Sequence, residues 1–423
     1  MGFRFLPVAT VASAMATWQG ALRGRVGPVD AVEVGLAAAL GRVLAFAVTA
    51  AEDVPGFDRS TVDGYAVRAA DTFGASEALP AYFDVTGAVP MGAAAPRPLP
   101  VGAAAPIATG GMLPPGADAA VMAEYCELLP DGQLAVNRPA GPGENVISRG
   151  EDVRAGDAVL RAGHAVRPQD LGVLAAVGAG RVVVRRRPRV AILSTGDELV
   201  GVEARPGPGQ VRDINAHALV GMVEQAGGEA LPGGIVPDDP EQLARRAAAA
   251  LAGADMLIIS GGSSIGSRDY VGQAIDSLGE PGVLVHGIAM RPGKPTVLAL
   301  ADGRPVLGLP GHPASALVVF WLFGLPALAH LAGVPAGGGA PRVQPAVRAR
   351  LVRNLASAPG REDYYRAALI WDEPAGEWRA EPVFGKSGLV STLVRGDGLV
   401  RVPAEEDGLA AGEMVEVVLF GWR

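Results

Sequence analysis

Acidic, basic and hydroxyl side chains recur in this chain in short loops that follow apolar runs. The sharpest case is Ser260-Gly-Gly-Ser-Ser-Ile-Gly-Ser-Arg-Asp-Tyr270, fed by the run Asp255 to Ile259. Small residues at a strand end leave backbone N–H groups free to meet an anion, and a following helix adds the positive end of its dipole. Ser260, Gly261, Gly262 and Ser263 are therefore candidate phosphate contacts, the plain alternative being an ordinary strand-to-helix turn. The stretch is not a Walker A loop: Gly261 and Gly266 have the right separation, but Ser267 and Arg268 stand where Lys and Ser/Thr are required. Similar loops are Ser194-Thr-Gly-Asp-Glu198, Pro237-Asp-Asp239, Arg291-Pro-Gly-Lys-Pro295 and Leu309-Pro-Gly-His-Pro-Ala-Ser315. Carboxylates (Asp197, Glu198, Asp238, Asp269) beside two cations (Arg291, Lys294) suggest a hydrated Mg2+ shared between protein and phosphates. Such a set could act on a pyrophosphate linkage, where charge builds on oxygens that already repel one another. No Ser/His or Cys/His nucleophile pair is apparent, since the five histidines are scattered and Cys126 lies in a plain β segment.

These loops can act together only if one scaffold brings them to one edge. From Val190 onward the pattern alternates: strand Val190 to Leu193, helix Asn215 to Gln225, strand Glu229 to Val236, helix Pro240 to Ala252, strand Asp255 to Ile259, helix Asp269 to Leu278. Strands at Val283 to Ala289, Thr296 to Leu300 and Pro305 to Leu309 and a helix opening at Pro313 follow. This predicts an open, mostly parallel α/β sheet with some antiparallel pairing near its end, whose ligands sit beyond the carboxyl ends of the strands. All five loops fall there.

The first half reads differently. Residues 28–50 give an amphipathic helix and a strand-like run, and residues 153–185 a hairpin, a helix from Pro168 to Val177 and a strand at Arg181 to Val184. Together they form a small linking α+β domain (7–50 and 153–184) interrupted by an inserted β domain (51–152) of short strands between Gly/Pro turns. That domain carries polar loops at Asp53 to Val67, Thr109 to Asp118 and Glu144 to Asp152, which are solvated turns on their own merits. The basic run Arg185 to Arg189 reads as a solvated linker into the α/β domain (185–332). The rest, 333–423, opens on a Gly/Pro linker and reads as a β domain containing Gly360-Arg-Glu-Asp-Tyr-Tyr-Arg366 and Gly385-Lys-Ser-Gly388.

Bulk properties agree with several domains: 423 residues exceed one ordinary core, and 49% hydrophobic content offsets 59 glycines and 35 prolines. Net charge is −8, which argues against nucleic-acid affinity and asks for a local basic patch to hold an anionic substrate. A single cysteine excludes an intrachain disulfide and suits a reducing, cytoplasmic setting. The N-terminal run ending in Ala14-Met15-Ala16 resembles a signal-peptide cleavage site, but Pro7, Thr10 and Ser13 interrupt it, and a helix with Val11, Met15 and Trp18 on one face is the better reading. The uncharged stretch Ala316 to Ala329 is expected to be a buried core helix, with Gly324 and Pro326 breaking it short of the roughly 20 residues a membrane span needs.

The stretches FDRSTVDGYAV, ATGGMLPPGADA, RGEDV, STGDEL, SGGSSIGSRDY, PGKP and LPGHPAS, in this order and spacing, resemble the molybdopterin molybdenumtransferase family, which includes MoeA and the gephyrin E domain. The resemblance covers nearly the whole chain. It implies insertion of molybdate into adenylylated molybdopterin with release of AMP, assisted by Mg2+, in a homodimer of four-domain subunits. Each cleft of that dimer is formed by the α/β domain of one chain and the β domain of its partner. It further implies functional roles for Asp63, Thr109 and Asp152, and places Glu198, Asp238 and Asp269 around Mg2+ and the phosphoanhydride. Lys294, Ser315, Arg361 or Arg366, and Ser387 become candidates for the oxyanion, and Arg291, Pro310, His312 and Pro313 further candidates for substrate binding. Two positions depart from the family pattern: Arg291 replaces a lysine and His312 replaces the asparagine of LPGNP. A tungstate-using enzyme, or a pterin-binding scaffold without turnover, would carry much the same loops.

Overall fold

The computed structural model describes residues 7–95, 97–262, 270–335 and 345–421. The first helix, α1 (Val11–Arg25), is capped by Thr10, whose side chain accepts the Ser13 N–H. Its buried face, Val11, Ala14, Trp18 and Leu22, packs into the core of the α/β domain, and Trp18 Nε1 donates to Phe323 O at 2.9 Å. The expected helix therefore forms, but it belongs to the α/β core and not to the linking unit. The apolar residues that complete its face lie some 300 positions downstream, outside the reach of local periodicity.

The strand Ala31–Gly35 pairs antiparallel with Arg181–Arg185, and Val48–Thr49 with Ala158–Leu160. Leu44, Val166, Leu174 and Val184 form their common core. Between them, six strands form a sheet in the order Ala119–Met122, Gly64–Val67, Ala103–Ile107, Ala81–Val85, Gln133–Val136, Cys126–Leu128. The basic run that follows is not a solvated linker. Arg186 grips Asp255 through two contacts of 2.6 Å, and Arg185 Nη1 donates to Val29 O at 3.0 Å. A half-buried carboxylate needs such a partner, and the run supplies it.

The α/β domain holds β1 (Arg189–Thr195), β2 (Glu229–Val236), β3 (Met256–Ser260), β4 (Pro281–His286), β5 (Val297–Ala301) and β6 (Arg304–Leu309) in the order β2-β1-β3-β6-β5-β4. All run one way except β5, which is antiparallel to both neighbours. The reversal is made by a tight turn at Asp302-Gly303, both with positive φ. Alternation along β1 sends Val190 and Ile192 to one core, shared with α1 and α2 (Asn215–Gln225), and Ala191 and Leu193 to the other, shared with α3 (Pro240–Ala252) and α4 (Tyr270–Asp276). Because β2 lies on one side of β1 and β3 on the other, the strand order switches direction at the carboxyl ends of β1 and β3.

The apolar helix α5 spans Pro313–Leu331, 19 residues and mostly buried, and among the described residues it is the one helix long and apolar enough to cross a membrane. Gly324 and Pro326 do not break it. A π-helical turn, Phe320–Gly324, lets the Leu325 N–H reach Phe320 O, accommodating the proline that follows. Gly324 is required there, since a Cβ would lie 2.0 Å from Phe320 Cδ2. Beyond it, β7 (Ala346–Leu351), β8 (Glu362–Asp372), β9 (Glu377–Pro382), β10 (Gly398–Val402) and β11 (Met414–Leu419) close into a barrel, β8-β9-β7-β11-β10-β8. The short strand Met290–Arg291 of the α/β domain pairs with the start of β8, so the barrel is docked by backbone bonds as well as side chains.

Candidate functional site

The switch point between β1 and β3 is where the sequence loops meet. Thr195, buried at the end of β1, donates from Oγ1 to Asp238 Oδ1 at 2.9 Å, and Asp238 N donates to Asp197 Oδ1 at 3.1 Å. The loops after β1 and β2 are thus tied, with the carboxylates of Asp197, Glu198 and Asp238 on exposed residues. Gly261, at the end of β3, has φ +110, and a Cβ there would sit 2.1 Å from Thr195 O. Only glycine lets the backbone pass this close. Its N–H donates to Leu309 O at 3.1 Å, tying the turn to β6. Ser263 and Asp269 lie outside the described residues.

Behind that turn is a small polar knot. Asn215 Nδ2 donates to Ser260 Oγ and to Gly311 O, both at 2.8 Å, while Ser194 and Ser260 are register partners in β1 and β3. Asn215 Oδ1 and Ser194 Oγ are buried without a hydrogen-bond partner. Such atoms are rare in folded proteins and mark a place for water or a polar ligand group. Sequence reading took Asn215 only as a helix start; its partners are 45 and 96 residues away, and no local signal reveals them. Asp213 is the residue that holds the first turn, accepting the Ala216 N–H at 3.1 Å.

Further along the edge, Lys294 is exposed on a loop fixed by its own carbonyl, which accepts the Ile288 and Thr296 N–H groups at 2.9 and 3.0 Å. Arg291 is occupied. Its Nη2 meets Asp363 Oδ2 at 2.9 Å and Tyr365 OH, and its guanidinium lies 5.5 Å from the Tyr365 ring centroid. Asp363 is fully buried and also takes Arg361 Nε at 3.0 Å. A lysine could not bridge the carboxylate and the ring in this way, which accounts for arginine at 291. Arg366 is different: it is 6% exposed, and Nη2 donates to Gly385 O at 2.8 Å, but Nε is buried without a partner. No carboxylate among the described residues pairs with it. Burial, and then the charge of Arg291, pull its pKa below the ordinary arginine value.

The Gly385–Gly388 loop of the barrel rests on the α/β edge. Ser387 Oγ lies 2.9 Å from His312 Nδ1, and Ser387 O accepts the Ala314 N–H at 3.1 Å. Pro310 and Pro313 are buried and shape the loop before α5, and Ser315 is buried in its first turn. In the inserted β domain, Asp63 Oδ1 accepts from Thr109 N (2.7 Å) and Thr109 Oγ1 (3.0 Å), bonds that lower its pKa. Asp152 is exposed, beside Arg149, whose Nε donates to Asp53 at 2.7 Å. Among the described residues, no hydrogen bond or ion pair joins Asp63, Thr109 or Asp152 to Thr195, Asp238, Ser260 or His312. Cys126 is no thiolate at neutral pH, since burial and Glu124 push it up to about 11.

With this geometry in hand, comparison with known proteins is direct. Residues 9–178 match the family described as MoeA N-terminal region (domain I and II), residues 191–330 a probable molybdopterin binding domain, and residues 348–420 the MoeA C-terminal region (domain IV). A molybdopterin molybdenumtransferase of Nostoc sp. is 36% identical over 393 residues, 92% of this chain and 88% of that one. One from Haemophilus influenzae is 33% identical over 394 residues, covering 93% and 95%. A crystal structure of a molybdopterin biosynthesis MoeA protein from Pyrococcus horikoshii superposes with a TM-score of 0.82 at 37% identity, over 98% of this chain and all of that one. In sequence along nearly its whole length, and in the same multidomain fold, this chain belongs to the molybdopterin molybdenumtransferase (MoeA) family.

Proposed function

We propose that this protein inserts molybdate into adenylylated molybdopterin and releases AMP, at the carboxyl edge of the α/β sheet, in a cytoplasmic setting that suits its lone cysteine. The observation that carries the reading is the meeting there of exposed carboxylates on Asp197, Glu198 and Asp238 with the glycine turn at Gly261, next to which the barrel loop bound by the carboxylate-free Arg366 docks through Ser387 and His312. Relatives of matching length are named molybdopterin molybdenumtransferase, which supports the coarser part of this reading. The exposed backbone of Gly262 is suited to the polar groups of the nucleotide substrate, and the unpaired buried atoms of Asn215 and Ser194 to a water behind the turn. Arg366, with Lys294 and Ser387, is suited to the oxyanion: a buried guanidinium without a carboxylate gains most from an anion. Arg291, committed to Asp363, serves to hold the barrel in place, while Arg361 shares that carboxylate from within the barrel.

Among the described residues, no three acidic or imidazole groups gather as a ready metal cage. Mg2+ is commonly held by one or two carboxylates plus substrate phosphates, so Glu198 and Asp238 suit an ion shared with the substrate; Asp269, the third candidate, lies outside the described residues. Such an ion would neutralise charge on the phosphoanhydride oxygens. Thr195 keeps Asp238 oriented by its hydrogen bond, and the Asp238 N–H does the same for Asp197. Asp63, Thr109 and Asp152 are assigned to the cleft of a second copy in a homodimer, in keeping with their having no bond to this edge in their own chain.

Glu198→Gln and Asp238→Asn test the reading. Each should retain binding of adenylylated molybdopterin while AMP release falls by at least about 100-fold, as expected for groups that act on the transition state more than on affinity. A parent protein that binds the nucleotide but releases no AMP with either molybdate or tungstate would point to a pterin-binding scaffold instead.

A further inference from the structure

We propose that His312 is a positioning residue that fixes the direction of the Ser387 hydroxyl, keeping its proton free for the oxyanion. The inference rests on the assignment of Ser387 to the oxyanion made above. His312 stands at the N-cap position of α5 but does no capping with its side chain. Pro313 has no N–H to satisfy, the Ala314 N–H goes to Ser387 O, and the Ser315 N–H goes to the His312 carbonyl at 3.0 Å. The imidazole is left for one contact, Nδ1 to Ser387 Oγ at 2.9 Å. His312 is otherwise exposed, so this bond across the domain boundary is what sets its ring. The loop carrying Ser387 is in turn drawn down by Arg366 through Gly385 O.

A hydroxyl has one proton and two acceptor lone pairs. Were Nδ1 the acceptor, the Ser387 proton would point at the ring and only lone pairs would face an anion, which repels it. With the proton on Nδ1, His312 donates to Ser387 Oγ and the hydroxyl proton turns outward, where it can bond an oxyanion held by Arg366. Only the second tautomer is compatible with an anion site. The role needs an N–H donor on a short side chain, and the amide of asparagine supplies one equally well. The two domains thus meet in a contact that sets hydroxyl polarity as well as distance.

The test is the molybdate dependence of AMP release by His312→Ala, His312→Asn, Ser387→Ala and the double variant His312→Ala/Ser387→Ala. Loss of the one neutral hydrogen bond that orients the Ser387 hydroxyl predicts that His312→Ala raises the molybdate KM by about three- to tenfold, with kcat at saturating molybdate changed less than about twofold. His312→Asn should restore most of the affinity, and the double variant should be no worse than Ser387→Ala alone. Multiplying effects in the double variant, or a fall in kcat without a KM change, would overturn the proposal and leave His312 a packing residue. If the parent releases no AMP at all, the reading of the reaction fails separately. Calorimetric binding of molybdate to the same four variants then decides: the same pattern supports the proposal, and no oxyanion binding by the parent overturns it.

Discussion

Arginine at 291 and the Asp63–Thr109 pair are where single residues can be interrogated. Asp363 is buried between Arg291 and Arg361, so Arg291→Ala removes one of two countercharges. Breaking a fully buried pair costs about 3–5 kcal/mol, but Arg291 is half exposed and Arg361 remains, so a loss of about 1–3 kcal/mol in urea unfolding is expected. Arg291→Lys should fall between, and an unchanged midpoint for Arg291→Ala would contradict the clamp. Asp63 titrates below the usual carboxylate range because Thr109 donates to it twice. A depressed folded pKa contributes stability that is present above the unfolded value and is lost as pH falls through the folded one. Thr109→Val removes the hydroxyl bond and leaves the backbone one, so the Asp63 carboxyl should titrate higher by NMR, part of the way back to the ordinary aspartate range. Sequence reading found both residues as polar loop members; it could not find their partners. Asp63 and Thr109 are 46 positions apart, and Arg291 reaches Tyr365 across 74.

At the scale of elements, the α/β half was legible because its strands end in turn formers and helices such as α3 and α5 open on a proline signal, Asp239-Pro240 and His312-Pro313. The five polar loops therefore land on one edge by topology alone. What was not legible was packing that depends on distant partners. The helix α1 and the run Arg185 to Arg189 each look like independent surface features, until Phe323 and Asp255 are brought to them by the fold. Proline at 326 predicts a break by local rules, whereas the π-turn before it absorbs the missing donor at no cost in burial. Gly324→Ala should disrupt that turn by about 1–3 kcal/mol, as overpacking does, because the clash is with a buried ring. Gly20→Ala in α1, with open space around the new methyl, should instead be neutral or stabilising by up to about 1 kcal/mol. Thermal unfolding of the two variants side by side checks the contrast; equal shifts would contradict it. Gly261→Ala should reach further. It meets a backbone oxygen, which cannot rotate away, so the turn must move and AMP release should be lost even where the fold survives.

The whole molecule places its candidate residues in two groups, one on the α/β edge with the docked barrel and one in the inserted β domain around Asp63. If a second copy supplies the latter, isolated heterodimers of the parent with Asp63→Asn/Glu198→Gln should be inactive, since each cleft then carries one damaged half. Same-chain clefts predict half the parental activity, and finding that would remove the shared arrangement. A simpler measurement bears directly on the reaction at this edge. Purified protein is given adenylylated molybdopterin with Mg2+ and molybdate together, with each alone, and with neither, and AMP is followed. AMP release only when both are present is the predicted result. Full release in excess chelator, or without any oxyanion, would contradict the assignment of this edge to oxyanion-dependent cleavage.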